Sequence, residues 1–241
     1  MPTAFLIAVS SHLIYSKRSS VHSSPAIAIK AVLFDLDGTF ADTAPDMARA
    51  INAVRGHHGM PALALTQLRP HVSNGARGMV AAAFDVKPGE ANFTKLREAF
   101  LIEYERAICV HSTLFDGMLE TVTLLEQRNI AWGIVTNKIT RHSAPLMRAF
   151  GVEMRAACIV SGDTCARAKP YPDPLLHAAK LMQIDPAHCL YIGDDLRDIQ
   201  AAHAAGMRSV AALYGYLGDS DPQTWNATLS IQAPGDIVAL L

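Results

Sequence analysis

The chain has 241 residues, which is enough to bury one large core and fits one domain or one domain carrying an insertion. Half of the residues are hydrophobic and 18% are charged, as is typical of a soluble globular protein. The formal net charge of −1 gives no charge field for nucleic acid or an anionic membrane, so we expect neither as a partner. The 4 cysteines are scattered without C-x-x-C spacing, which favours reduced thiols in the cytoplasm over a zinc site or disulfide framework.

Residues 1–28 differ from the rest of the chain in composition. A short apolar stretch is interrupted by Ser10, Ser11 and His12, and basic residues follow it instead of preceding it, which is contrary to a signal peptide. Nothing in this stretch is long enough to span a membrane. We therefore expect a flexible leader, and we expect a chain that begins near residue 29 to keep its activity.

The stretch KAVLFDLDGT, residues 30–39, organises the remaining sequence. Its apolar residues predict a buried strand that ends at the acidic residues Asp35 and Asp37 and at a turn containing Gly38. Because alternate residues of an extended chain point the same way, both carboxylates can face one metal and one substrate. One can then attack while the other transfers a proton. The alternative is that the two acids only cap a turn, and the rest of the chain has to decide between these interpretations.

An all-helical block, residues 46–115, follows this strand. Thr43 and Pro45 mark the start of its first helix, which Gly59 ends. Further helices are predicted near 64–71, 76–84 and 90–110, without a convincing strand between them. From residue 116 onward, strands near 130–135, 157–160, 189–192 and 208–213 alternate with helices. This alternation predicts an α/β core, residues 29–45 and 116–241, in which helices cover both faces of a parallel sheet.

Polar residues follow each of the first four predicted core strands, at the sheet edge where such folds bind ligands. They are Asp35 and Asp37, then Thr136, Asn137 and Lys138, then Lys169, and finally Asp194, Asp195 and Asp198. A carboxylate can attack the phosphorus of a phosphate ester if a cation offsets the repulsion between the two anions. Mg²⁺ is the natural cofactor for this chemistry. Thr136 can hold phosphate oxygens, and Lys169 can add positive charge to the transferring phosphoryl group.

Four short motifs carry a resemblance to a known family. FDLDGT (34–39), IVTN (134–137), KPYPDP (169–174) and GDDLRD (193–198) resemble, in that order, the four motifs of the haloacid dehalogenase superfamily. The resemblance implies a Rossmann-like parallel core with the helical block as a mobile cap that closes over the substrate. It also implies a magnesium-dependent phosphatase that works through an aspartyl-phosphate intermediate.

The same resemblance assigns roles to individual residues. Asp35 is the expected nucleophile, and Asp37 is expected to protonate the leaving group and then to activate water. Thr136 and Lys169 complete the expected catalytic set. The expected Mg²⁺ ligands are Asp35, Asp194 and the main-chain carbonyl of Asp37, and Asp198 is expected to hold a metal-bound water or Lys169. The expected substrate-binding residues are Thr136, Asn137 and Lys169 in the core and Asn74, Gly75 and Arg77 in the cap.

Longer segments narrow the expected substrate. SNGARGMVAAAF (73–84), VHSTLFDGM (110–118) and YGY (214–216) resemble the bacterial N-acetylmuramic acid 6-phosphate phosphatases of peptidoglycan recycling. The cap position and the chain length resemble the phosphoglycolate phosphatase group. Both substrates are small phosphorylated metabolites with a carboxylate, which Arg77 is expected to bind. A phosphomutase and a receiver-type signalling module are the remaining alternatives. The oligomeric state stays open, because an apolar helix face can pack within the chain or against another chain.

Overall fold

The computed structural model describes residues 28–218 and 220–241, so the predicted leader lies outside the described residues except for Ala28. Within the described residues the strands are β1 (Ala31–Phe34), β2 (Ala41–Asp42), β3 (Thr113–Leu114), β4 (Ala131–Val135), β5 (Cys158–Val160), β6 (Cys189–Gly193), β7 (Arg208–Ala212) and β8 (Leu229–Ile231). The α-helices are α1 (Ala44–His57), α2 (Leu65–Leu68), α3 (Gly75–Phe84), α4 (Phe93–Glu105), α5 (Met118–Gln127), α6 (Thr140–Ala149), α7 (Asp173–Met182) and α8 (Leu196–Ala204). Short 3₁₀ helices span Arg69–Asn74, Pro186–His188, Pro222–Trp225 and Pro234–Leu240.

Six strands form one parallel sheet in the order β5-β4-β1-β6-β7-β8. Strand β1 is central, and its last residue, Phe34, pairs with Ile134 on one side and Ile192 on the other. The loops that follow β1, β4 and β6 therefore meet at one edge of the sheet. This arrangement confirms the predicted α/β fold with a parallel core sheet. The sequence missed β8, because a three-residue strand with an exposed central serine gives too little pattern to detect.

The sheet is buried on both faces, as the apolar runs of its strands predict. Val32 and Phe34 of β1 pack into one hydrophobic cluster together with Trp132, while Ala31 and Leu33 pack into a second cluster on the opposite face. This alternation follows from the two-residue period of an extended strand. Both faces are covered, so the polar ends of the strands are the place where the sheet meets a ligand.

Helices α1–α4 lie between β2 and β3 and have a hydrophobic cluster of their own. Strands β2 and β3 pair antiparallel, Ala41 with Leu114 and Asp42 with Thr113, where the chain leaves the sheet and returns to it. We call residues 43–112, which lie between these strands, the helical insertion. The sequence placed Thr113 and Leu114 inside the all-helical block, and this detail is wrong. A two-residue strand carries no periodic signal.

Asp46, in the first turn of α1, ties the two ends of the helical insertion together. Its Oδ2 accepts hydrogen bonds from the main-chain N–H groups of Val110, His111 and Ser112 at 2.9, 2.9 and 2.8 Å, and from the Ser112 hydroxyl at 2.7 Å. We call this arrangement the Asp46 clasp. It fixes the returning segment beside the start of α1. Among the described residues, no helix combines the length and the apolar character that crossing a membrane requires.

Candidate active site

The core residues that the sequence singled out come together at the carboxyl edge of the sheet. Asp35, Asp37, Thr136, Lys169 and Asp198 line one cavity of about 240 Å³ between the sheet edge and the helical insertion. Asp194 is fully buried next to it, and carboxylate oxygens of Asp35, Asp194 and Asp198 lie within 4.8 Å of one another. The sheet order explains this meeting, because β4, β1 and β6 are neighbours.

Lys169 supplies a fixed positive charge at the centre of this group. Its Nζ lies 2.8 Å from Asp35 Oδ1 and 2.7 Å from Asp198 Oδ1, and it also donates to the Tyr191 hydroxyl at 2.7 Å and the Val135 carbonyl at 3.1 Å. Burial lowers the pKa of Lys169, but Asp198 and Asp35 outweigh that effect and leave its pKa raised. The lysine therefore stays charged and holds the Asp35 carboxylate in place.

The Asn137 side chain holds the main chain of Lys169. Its Oδ1 accepts from the Lys169 N–H and its Nδ2 donates to the Lys169 carbonyl, each at 3.0 Å. Asn137 also lines the cavity, so its predicted role in substrate binding stays a prediction alongside this positioning of Lys169. The Thr136 hydroxyl accepts from the Lys138 N–H at 3.1 Å, which fixes the predicted phosphate-binding loop after β4.

Lys138, one of the polar residues that follow the second predicted core strand, makes a contact with Asp37 that the sequence did not predict. Its Nζ lies 2.8 Å from Asp37 Oδ1 and 5.0 Å from the centre of the Tyr104 ring of α4. Asp37 Oδ1 also accepts from the Thr43 hydroxyl, so Thr43 holds the site instead of capping α1. Asp37 Oδ2 accepts no hydrogen bond within the described part of the chain. The carboxylate is thus oriented through one oxygen while the other is available to a substrate.

Asp194 is the least compensated charge of the site. Its carboxylate accepts from the Thr39 hydroxyl at 2.8 Å, the Tyr216 N–H at 2.9 Å and the Ser73 hydroxyl at 3.2 Å. No lysine or arginine in residues 28–218 and 220–241 forms an ion pair with it. Burial raises the pKa of Asp194 well above its usual range, and the neighbouring charges of Asp35 and Asp198 raise it further.

The residues present fit a divalent cation. Carboxylate oxygens are the ligands that Mg²⁺ prefers, and a cation beside Asp35 and Asp194 would offset the repulsion between these buried charges. The main chain of Gly38 also lies very close to the Asp194 side chain, since a Cβ on Gly38 would lie 2.1 Å from Asp194 Oδ2. Gly38 has φ of +88°, so the turn after Asp37 needs glycine for both reasons. Asp198 belongs to the same cluster, although the sequence gave it a supporting role.

The insertion side of the cavity differs from the expected one. Asn74 and Gly75 line the cavity as predicted, whereas Arg77 is exposed and does not line it. Arg97 of α4 contributes a cation there instead. The sequence favoured Arg77 because it follows the polar residues Asn74 and Gly75 near the start of α3, while α4 gave only the pattern of an ordinary amphipathic helix.

The helical insertion contacts the core on both sides of the cavity. On one side the Arg197 guanidinium donates to the Ser73 carbonyl at 2.7 Å. On the other side Glu105, at the end of α4, lies 2.7 Å from His142 Nε2 and 3.1 Å from Arg141 Nε. These contacts join residues far apart in sequence, so no spacing pattern could have revealed them. They hold the insertion over the site in this conformation.

Comparison with known proteins places this geometry in a family. The sequence pattern of haloacid dehalogenase-like hydrolases matches residues 32–212. The chain belongs to the haloacid dehalogenase-like hydrolase family. The predicted membership is therefore confirmed, and with it the four motifs on which it rested.

Relatives and solved structures of this haloacid dehalogenase-like protein are enzymes of one class. It is 42% identical over 207 residues to an N-acetylmuramic acid 6-phosphate phosphatase of Pseudomonas putida, covering 86% of this chain and 93% of that protein. It is 46% identical over 206 residues to a phosphoglycolate phosphatase of Xanthomonas campestris, covering 85% and 93%. A crystal structure from Haemophilus somnus, described as a predicted phosphoglycolate phosphatase, has a TM-score of 0.78 at 27% identity, covering 88% of this chain and 97% of that one. The predicted enzyme class, a phosphoric monoester hydrolase, is confirmed.

Proposed function

We propose that the protein is a magnesium-dependent phosphatase in which Asp35 forms an aspartyl-phosphate intermediate with a small phosphorylated metabolite. The observation that supports it is the placement of Asp35 and Asp37 in one cavity, each held by its own lysine. Lys169 fixes Asp35 and Lys138 fixes Asp37, so two carboxylates of one strand end are prepared for two different tasks. Asp35, Asp194 and the Asp37 carbonyl would hold Mg²⁺, which when bound supplies positive charge at the phosphoryl group.

The first half of the reaction transfers the phosphoryl group to the enzyme. An Asp35 carboxylate oxygen attacks phosphorus, a new P–O bond forms, and the ester P–O bond to the metabolite breaks. Asp37 acts as the general acid and gives a proton to the departing alkoxide. Thr136 and Lys169 stabilise the charge on the phosphoryl oxygens, and a released alcohol and an aspartyl-phosphate at Asp35 result.

The second half restores the enzyme. Asp37, now ionised, takes a proton from a water that attacks the same phosphorus, and the bond from phosphorus to the Asp35 oxygen breaks. Inorganic phosphate leaves and Asp35 returns as a carboxylate. Lys138 serves this half by orienting Asp37 through Oδ1, which leaves Oδ2 towards the water. The helical insertion, residues 43–112, acts as a cap and limits the entry of other water.

The proposed substrate is N-acetylmuramic acid 6-phosphate, with 2-phosphoglycolate as the second candidate. The relatives in Pseudomonas and Xanthomonas carry these two activities in their names. The cavity is also lined by apolar residues, namely Met47, Val72, Phe100, Leu101 and Ile139. An apolar wall of this kind packs against the body of a sugar derivative, whereas phosphoglycolate has almost no apolar surface. The 4 cysteines are free, which supports the proposed cytoplasmic location.

The test is release of inorganic phosphate in the presence of Mg²⁺, with the two substrates measured side by side. We expect kcat/KM for the sugar phosphate to exceed that for 2-phosphoglycolate by about a hundredfold or more. The reverse preference would assign the second candidate. Return of the phosphate to another hydroxyl of the substrate, instead of its release, would identify a phosphomutase.

A further inference from the structure

Five lysine and arginine side chains line the active-site cavity, and four of them are already paired. Lys138 pairs with Asp37, Lys169 with Asp35 and Asp198, Arg141 with Glu105, and Arg197 with Asp195. The fifth, Arg97, has no anionic partner among residues 28–218 and 220–241, although it lines the same cavity. Its guanidinium is therefore the one cation of the described cavity wall that a ligand can use without breaking an ion pair.

Arg97 is exposed on α4, and it lines the cavity at a distance from the phosphate end. Arg97, Phe100, Leu101 and Tyr104 follow the i, i+3, i+4, i+7 spacing of one helix face, and all four line the cavity. Tyr104 lies over Lys138, beside Asp37, so it marks the catalytic end. Tyr104 is seven positions after Arg97 in α4, and this spacing corresponds to about 10 Å along the helix axis. The apolar residues Phe100 and Leu101 lie between the two ends.

We propose that Arg97 binds a carboxylate of the substrate, at the end of the cavity opposite the phosphoryl group. The guanidinium is planar and can give two parallel hydrogen bonds to a carboxylate, which makes it a selective partner for that group. A substrate whose carboxylate and phosphate are on opposite sides of a sugar ring can place the carboxylate at Arg97 and the phosphate at the catalytic end. In 2-phosphoglycolate the carboxylate and the phosphate oxygen are attached to the same carbon, so both groups cannot reach their ends of the cavity at once. The inference rests on the proposed phosphatase function and deepens it.

A matched substrate pair tests the proposal. N-acetylmuramic acid 6-phosphate carries a lactyl carboxylate, and N-acetylglucosamine 6-phosphate is the same sugar phosphate without the lactyl group. We expect the wild type to prefer the first, and we expect Arg97→Gln to lower kcat/KM for the first by about 10- to 100-fold, mainly through KM. Turnover of the second should stay within about twofold of wild type. Arg97→Lys, which keeps the charge but not the planar fork, should retain part of the preference.

Two further variants separate Arg97 from its neighbours. Lys95→Gln removes an exposed cation of the same helix that does not line the cavity, and it should leave both substrates unaffected. Arg77→Gln tests the residue that sequence reasoning favoured, and it should behave like Lys95→Gln. Loss of the preference in Arg77→Gln, or an unchanged preference in Arg97→Gln, would overturn the proposal. Equal use of the two sugars by the wild type would overturn it as well.

Equilibrium binding separates this proposal from the proposed function. Calorimetric titration of the two sugar phosphates into Asp35→Asn measures the discrimination without hydrolysis. A preference for the carboxylate-bearing sugar that disappears in Asp35→Asn/Arg97→Gln supports the carboxylate site, even if the wild type hydrolyses neither sugar. Equal affinities for the two sugars would refute it. Failure of the wild type to release phosphate from any ester would instead refute the proposed function.

Discussion

The two walls of the cavity differ in how firmly they hold their polar side chains. On the sheet-edge wall, Lys169 Nζ makes four polar contacts and the Asp194 carboxylate accepts three hydrogen bonds. On the insertion wall, Arg97 has no such contact within the described residues, and the Asn74 side chain has one, at 3.4 Å to Arg197. Groups that are fixed in advance stabilise a transition state without reorganisation. The comparison therefore assigns chemistry to the sheet edge and recognition to the insertion.

The largest expected effect on activity comes from a substitution that changes the sheet-edge wall alone. Asp35→Asn removes the nucleophile, and we expect kcat to fall on the order of 10⁴-fold or more, as when other nucleophiles are lost. The fold should persist, because asparagine has nearly the same shape and removes a buried carboxylate from beside Asp194 and Asp198. Phosphate release and circular dichroism measure the two outcomes. The control is Asp116→Asn, which removes an exposed carboxylate outside this cavity. Turnover retained in Asp35→Asn would refute the assignment.

The sheet-edge wall was largely predictable from the sequence, for a physical reason. Several of its residues follow directly on an apolar strand, and parallel strands put their carboxyl ends at one edge. Asp35, Thr136 and Asp194 therefore had to meet once the order of strands was known. Lys169 lies nine residues beyond the end of β5, at Val160, so the order of strands alone did not predict its contact with Asp35.

The insertion wall was not predictable in the same way. Arg77 and Arg97 lie on neighbouring helices, α3 and α4, and the sequence does not say which helix turns its cation towards the cavity. That choice depends on how the hydrophobic faces of the helices pack, including Met79 and Phe100. The contact between Lys138 and Tyr104 is another example, since its partners come from different layers of the molecule.

Lys138 offers a sharper test, because it contacts both walls. If it acts by orienting Asp37, Lys138→Met should lower kcat by about 10²-fold while KM changes little. If it acts by binding substrate, KM should rise and kcat should be nearly unchanged. Steady-state kinetics with the sugar phosphate separates the two cases, and we expect the first.

The control for Lys138→Met is Lys180→Met, which removes an exposed lysine near the end of α7. It should leave both kinetic constants at wild-type values. The Lys138→Met protein should also unfold cooperatively, since methionine fits beside the Tyr104 ring. An effect confined to KM would show that Lys138 binds substrate instead of orienting Asp37. That result would weaken the distinction between the sheet-edge wall and the insertion wall.

The smallest expected effect concerns the Asp46 clasp, which joins the two ends of the helical insertion. Burial raises the pKa of Asp46, but the Ser112 hydroxyl and the three main-chain N–H groups outweigh burial and leave its pKa below the usual value. Hydrogen bonds to a charged group contribute about 1.5 to 3 kcal/mol, so Asp46→Asn should lower the free energy of unfolding by about that amount at neutral pH. Urea unfolding measures it, with Asp116→Asn as control.

The pH dependence of that loss separates charge from geometry. Because the pKa is lower in the folded protein, the stabilisation is fully present above the unfolded value of about 3.9 and is lost as pH falls through the folded pKa. The difference in unfolding free energy between wild type and Asp46→Asn should therefore be constant at neutral pH and should shrink below about pH 4. A difference that stays constant at low pH would show that the charge contributes nothing. The clasp would then act only through the shape of the chain, and the two ends of the insertion would be joined without a contribution from the charge of Asp46.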